Sequence, residues 1–252
     1  MSGLTRTRAA SFGAAADAYE RARPSYPEAA VDWILPPDAR RVLDLGAGTG
    51  KLTRHLVARG LEVVAVEPSE GMRAQLSRGL PNVPVLEGSA ENIPLEDASV
   101  DLVVCGQAWH WFDPARAVRE VARVLMPGGQ LGLIWNIRDR RDGWMDAFSG
   151  LEPPHDNSED DSENPRVGPP FGPVERFDLP WRQSTNPDAL IDLLASRSYV
   201  IVLPDAERAA LMARVRRFLE TDPATAGKAE ISVPYVTRCS RAQRSGSPMD
   251  AG

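Results

Sequence analysis

The chain has 252 residues, 42% of them hydrophobic and 25% charged, a make-up that excludes wholesale disorder. Its 35 acidic and 29 basic residues leave a net charge of −6. That balance opposes non-specific nucleic-acid binding, which needs a basic surface to displace counterions from phosphates.

Strand-like and helix-like patterns alternate along the first half. Arg41-Val42-Leu43-Asp44-Leu45 is a short apolar run ending in glycines, and it predicts a strand. Residues 49–59 carry Leu52 and Leu56 at helical spacing, with Gly60 placed as a C-terminal cap. Residues 61–66 form a β-branched run, and Ser69 then opens a helix with Met72 and Leu76 four apart. Residues 83–86 and 100–105 read as two more buried strands. Asp113-Pro114 starts a helix that buries Val118, Val121, Ala122 and Leu125, and Pro127-Gly128-Gly129 is expected to end it. Residues 131–135 complete a pattern that implies a parallel sheet covered on both faces.

Beyond Arg138 the pattern changes. Residues 150–173 are rich in proline, glycine and acids and read as a mobile loop, with Glu159-Asp160-Asp161-Ser162-Glu163 a solvated acidic run and not a metal site. Phe177, Leu179 and Trp181 alternate as in a strand, and so do Ile231, Val233 and Tyr235. Pro234 conflicts with that last assignment, because proline removes a ladder donor. Helices are expected over 188–197 and 205–220, and the tail over 242–252 is expected to be unstructured.

Cys105 and Cys239 have neither metal-ligand spacing nor the look of a disulfide framework. No apolar run has the length of a membrane span or of a secretory signal core. A cytoplasmic protein without membrane, metal or nucleic-acid partners is therefore expected.

The strongest local signal is Asp44-Leu45-Gly46-Ala47-Gly48-Thr49-Gly50, set between a strand and a helix. Glycines serve where the backbone turns sharply or a ligand touches the main chain. In open parallel sheets ligands lie beyond the carboxyl ends of the strands. Glu67 ends the second strand, where such folds use an acid to hold ribose hydroxyls. The dinucleotide fingerprint needs a third glycine one position later, which here is Lys51, so a nicotinamide or flavin dinucleotide is the weaker reading.

These segments resemble the class I S-adenosylmethionine-dependent methyltransferases, within them the branch similar to trans-aconitate and quinone-biosynthesis methyltransferases. Residues 88–94, 99–103 and 123–129 carry the likeness as well. The resemblance implies an α/β, doubly wound, seven-stranded and mostly parallel sheet, with helices on both faces and an antiparallel C-terminal strand. It implies one domain over 1–241, comprising a helical cap (12–35), a cofactor-binding half (41–136) and a half carrying a substrate lid (138–239). It also implies S-adenosyl-L-methionine as methyl donor, leaving S-adenosyl-L-homocysteine. Asp44, Gly46, Ala47, Gly48 and Gln107 would hold the methionine part, Glu67 the ribose, and Pro68, Met72, Ser89 and Ala90 the adenine. Tyr19, Arg23 and Tyr26 would approach the methionine carboxylate from the amino-terminal segment, though Tyr19 reads equally as packing on the sheet.

For the chemistry, His110 in Ala108-Trp109-His110-Trp111-Phe112 is the histidine nearest a strand's carboxyl end. It reads either as a general base for a hydroxyl acceptor or as a structural residue of an aromatic segment. Trp111, Arg138, Tyr199 and Tyr26 are candidate acceptor contacts, and Arg138 suits an acceptor that is already an anion. The expected activity is methyl transfer to an oxygen, hydroxyl or carboxylate, of a small metabolite. The alternative is an S-adenosylmethionine-binding protein with a cyclase-type or regulatory role.

Overall fold

The computed structural model describes residues 23–153 and 162–245. Seven strands form one sheet: β1 (Arg41–Leu45), β2 (Glu62–Val66), β3 (Val85–Leu86), β4 (Val100–Gly106), β5 (Leu125–Arg138), β6 (Glu175–Thr185) and β7 (Ile231–Gln243). Their order is β3-β2-β1-β4-β5-β7-β6. The pairs within β3-β2-β1-β4-β5 are parallel, while β7 runs antiparallel to both β5 and β6. Strands β1 and β4 are almost continuously apolar and buried, as a sheet covered on both faces requires. After β1 the chain builds outward through β2 and β3, then returns to lay β4 on the other side of β1. The carboxyl ends of β1 and β4 therefore flank a topological switch point.

Helices α1 (Glu28–Ile34), α2 (Lys51–Ala58), α3 (Glu70–Gly79) and α4 (Pro114–Val124) cover this half. On one face Ala30, Val31, Ile34, Leu52 and Leu56 pack on Val42, Leu102, Val104 and Ile134. On the other, Ala117, Val118, Val121 and Ala122 of α4 pack on Leu43, Val103, Leu131 and Leu133. The second half adds α5 (Gly143–Ser149), α6 (Pro187–Ala195), α7 (Ser198–Ile201) and α8 (Asp205–Thr221). These helices have their own core, in which Met145, Phe148, Leu190, Leu194, Leu211 and Val215 meet Ile231, Val233 and Tyr235. The first residues of β7 thus join the lid-like helices to the sheet.

Several expectations need correction. Only Val85 and Leu86 pair as β3, and both are half-buried, because this strand is the sheet's edge. Helix α4 stops at Val124, before the proline and glycines. Leu125 turns to extended geometry and pairs with Val100, so Pro127-Gly128-Gly129 lie within β5 at a register shift. Pro234 sits in β7 without harm. Its carbonyl accepts from Asp139 N, so its missing donor faces the side where the ladder with β5 has already ended. The expected unstructured tail is paired over its first residues: Ala242 lies opposite Leu131, Gln243 opposite Gln130, and Arg244 bridges to Phe171. The described ends of the 150–173 segment are also packed, with Glu152, Ser162 and Phe171 buried.

Asp113 caps α4 as expected: Oδ1 accepts from Arg116 N at 3.2 Å, with Pro114 in the first turn. Asp113→Ala should lower unfolding free energy by about 1 kcal/mol in urea melts, and Asp113→Asn by no more than a few tenths.

Candidate active site

At the tip of β1 the chain must reverse into α2 within five residues. Gly46 N and Ala47 N both donate to Val66 O, at 2.8 and 3.2 Å, which ties this loop to the end of β2. Gly46 has φ +70°, and a Cβ there would lie 2.9 Å from the Ala108 Cβ. Glycine at this position therefore answers both a left-handed backbone and the close approach of the β4 loop. Gly48 also has positive φ, +58°, but only the Met72 sulfur, at 3.9 Å, approaches its open face.

Two carboxylates flank the loop. Asp44 is 1% exposed, and its Oδ2 accepts from Thr53 Oγ1 at 2.6 Å. Among the described residues, its Oδ1 is buried with no hydrogen-bond partner. Burial, with the Glu67 charge as a lesser contribution, pushes the Asp44 carboxyl up to about 7. Glu67 folds back over the loop: Oε2 accepts from Gly48 N at 3.0 Å and Oε1 from Ser69 N at 2.9 Å. Its carboxyl is also raised by burial, against the pull of those two N–H groups. Each oxygen keeps a second lone pair for a further donor.

Beyond the tips of β1, β4 and β5 opens a cleft lined by Arg23, Tyr26, Asp44, Gly46, Ala47, Gly48 and Gln107 among the expected residues. The opposite tip is also built by close contact, for a Cβ on Gly106 would fall 2.6 Å from the Tyr26 hydroxyl. Gln107 takes a left-handed φ of +59°, and its Nε2 donates to Asn136 O at 3.0 Å. Asn136 in turn donates to Ser25 O at 3.0 Å and accepts from Thr237 at 2.6 Å, so it fastens the amino-terminal segment to β5 and β7.

The other expected residues lie around this cleft or away from it. Pro68 gives its carbonyl to Arg73 at 2.8 Å. Met72 and Ala90 are buried, and Ser89 pairs with Asn92 in a short bridge. Tyr19 falls outside the described residues. His110 occupies the 3-10 turn Trp109–Trp111, 4.6 Å centroid to centroid from Trp111. Burial first, then the charges of Arg23 and Arg197, hold its imidazole down at about 3, so it stays neutral. Arg138 reaches Glu152, which also accepts from the Tyr199 hydroxyl. Burial works against both charges of the Arg138–Glu152 pair, and their mutual attraction prevails.

The sequence reading missed Thr49, Lys51, Leu52, Gly106, Asn136, Arg197 and Tyr235 in the cleft lining, and Glu152 behind it. Gly106 and Asn136 sit at strand tips, and the rule that placed Glu67 could have found them. Arg197 and Tyr235 carry no such signal. The first follows α6, and the second lies within β7, a strand that runs against its neighbours.

A parallel sheet with a polar cleft at its switch point defines a Rossmann-like small-ligand site. The comparisons sharpen this class. A family model described as a methyltransferase domain matches residues 43–133. An uncharacterized methyltransferase of Mycobacterium tuberculosis is 53% identical over 239 residues, which span 94% of this chain and 97% of the relative. A malonyl-[acyl-carrier protein] O-methyltransferase of Methylococcus capsulatus is 40% identical over 133 residues, 48% of each chain. A solved protein of Anaeromyxobacter dehalogenans, described as a candidate type II methyltransferase, aligns with TM-score 0.69 and 27% identity. That alignment covers 90% of this chain and 99% of the other. The chain belongs to the class I S-adenosylmethionine-dependent methyltransferases.

Asp44 also couples the site to stability. Its folded pKa lies above the ordinary aspartate value of 3.8, so the protonated form favours folding, and that contribution fades as pH rises through about 7. Asp44→Asn, which keeps an acceptor for Thr53, should stabilise the protein at pH 8 by about 1–3 kcal/mol and change little at pH 4. Thermal melts at the two pH values check this.

Proposed function

We propose that the protein transfers a methyl group from S-adenosylmethionine to an oxygen of a small metabolite in the cytoplasm. The observation that carries the reading is that Asp44, whose Oδ1 no described residue meets, lines the same cleft as the loop that Glu67 clasps. A buried carboxylate oxygen without a donor fits the ammonium of an amino acid, and a carboxylate with two spare lone pairs fits the two hydroxyls of a ribose. One slot with both features suits a nucleoside joined to an amino acid. Its walls support the same fit, because Gly48 offers bare backbone next to the Met72 thioether.

In this reading Asp44 and Gln107 hold the methionine moiety along Gly46, Ala47 and Gly48, and Arg23, with Tyr19, meets its carboxylate. Pro68, Met72, Ser89 and Ala90 shape the adenine side. S-adenosylmethionine supplies an electrophilic methyl on a sulfonium and leaves as the neutral thioether S-adenosylhomocysteine. The protein's part is to align the acceptor and exclude water. Residues 41–136 serve the cofactor, and residues 138–239 bring Arg138 and Tyr199 to the acceptor side. Tyr26 and Trp111 border the two. His110, held neutral, serves as a hydrogen-bonding wall and not as a base. The O-methyltransferase named above, similar over half of the chain, supports an oxygen acceptor.

Calorimetry with S-adenosylhomocysteine tests the slot. Glu67→Ala should weaken binding on the order of 100-fold, because two charge-assisted hydrogen bonds are lost. Affinity equal to that of the unsubstituted protein would contradict the reading. Label from methyl-tritiated S-adenosylmethionine should appear in metabolites of a cell extract, whereas a regulatory binder would leave all label on the donor.

A further inference from the structure

Arg197 follows α6, in the turn before α7, and the buried Leu193, Leu194 and Val200 on either side hold that turn in the lid core. Its side chain lines the cleft opposite the strand tips. Among the described residues it makes no ion pair and no hydrogen bond, and its Nε is buried without a partner. Arg138 commits Nη1 to Glu152, while its Nε and Nη2 are likewise buried without acceptors. The Tyr235 hydroxyl, on the same cleft, is buried and unmet as well. Glu152 is the acid beside Arg138, and Arg138 and Tyr199 already occupy its two oxygens. Arg197 and Tyr235 are therefore left with buried polar atoms that no described residue meets.

We propose that Arg197, with the Tyr235 hydroxyl, anchors a carboxylate of the methyl acceptor, so that the acceptor is a small organic anion. The inference rests on the methyltransferase reading and names the acceptor class for that site. A largely buried guanidinium without an ion-pair partner is costly, and a ligand anion reduces that cost. The planar guanidinium fork suits the two oxygens of a carboxylate. Burial, then repulsion from Arg23 and Arg138, disfavours the Arg197 charge, and an anion beside it would offset both. His110 fits the same picture: an acceptor that arrives as a carboxylate asks for no base, and this imidazole cannot hold a proton near neutrality.

The test uses the full chain and a small-molecule cell extract split on an anion-exchange resin. With methyl-tritiated S-adenosylmethionine, label should form from the retained fraction and survive prior phosphatase treatment of that fraction. Arg197→Met should reduce labelling by about 30-fold or more, the loss expected of a paired charge-assisted contact. Its S-adenosylhomocysteine affinity should stay within about twofold, and its melting temperature should match or exceed that of the unsubstituted protein, since an unpaired buried charge is gone. Citrate should raise the melting temperature over chloride at equal ionic strength, and Arg197→Met should lose that increment. Should the methionine variant fail to fold, Arg197→Lys keeps the charge, loses the fork and should label about tenfold less.

Label confined to the unretained fraction, or abolished by phosphatase, would overturn the carboxylate assignment. Unchanged labelling by Arg197→Met would overturn the role of Arg197, and so would a matching fall in its S-adenosylhomocysteine affinity, which would make Arg197 a cofactor contact. If no fraction is labelled although S-adenosylhomocysteine binds, methyl transfer to a small metabolite fails. The citrate increment then decides the anion site alone, its absence overturning the proposal and its loss in Arg197→Met upholding it.

Discussion

Asp44 enters the interior with one oxygen bound by Thr53 and the other bare, and Glu67 crosses above it to grip Gly48 and Ser69. Both carboxylates are kept from water by the sheet that carries them, and both are pushed toward protonation by that burial. An arrangement of this kind costs stability unless something supplies donors and positive charge. The glycine loop between them leaves the backbone open on the side they face. Fold and site are thus coupled: the parallel pairing of β1 with β2 sets the distance between the two acids, and the loop's hydrogen bonds to Val66 fix its height.

The cleft is electrically divided. Asp44 stands on its strand side, with Glu67 clasping the loop next to it, whereas Arg197 gives the other side a cation. A donor molecule bearing a sulfonium and an ammonium suits the first side. An anionic acceptor suits the second, and the field between them favours their approach. His110 is held neutral first by burial and then by the charges of Arg23 and Arg197, so its proximity to a strand tip alone did not make it a base.

The parts of this arrangement that the sequence made legible are local ones. A strand, a glycine-rich turn and an acid at the next strand's end recur because backbone geometry demands them, so Asp44, Gly46, Gly48 and Glu67 stood out by spacing. Arg197 and Tyr235 did not, because tertiary packing of the second half alone brings them to the cleft. Glu152 was hidden in a proline- and acid-rich stretch whose composition reads as solvated, yet the buried Arg138 draws it in. Pro127-Gly128-Gly129 misled in the opposite way: a helix-ending signature sits inside a strand because the pairing of Leu125 with Val100 is already under way. Ala242 and Gln243 are polar-flanked, but the long β5 offers them partners.

The central claim is that the bare Asp44 oxygen receives a cation from the ligand, and proton counting tests it most directly. With its carboxyl pushed up to about 7, Asp44 gives up a proton more readily once an ammonium sits beside it. Calorimetry of S-adenosylhomocysteine binding near pH 7, in buffers of different ionisation enthalpy, should therefore show proton release that is reduced in Asp44→Asn. Tight binding with no proton released would contradict the account.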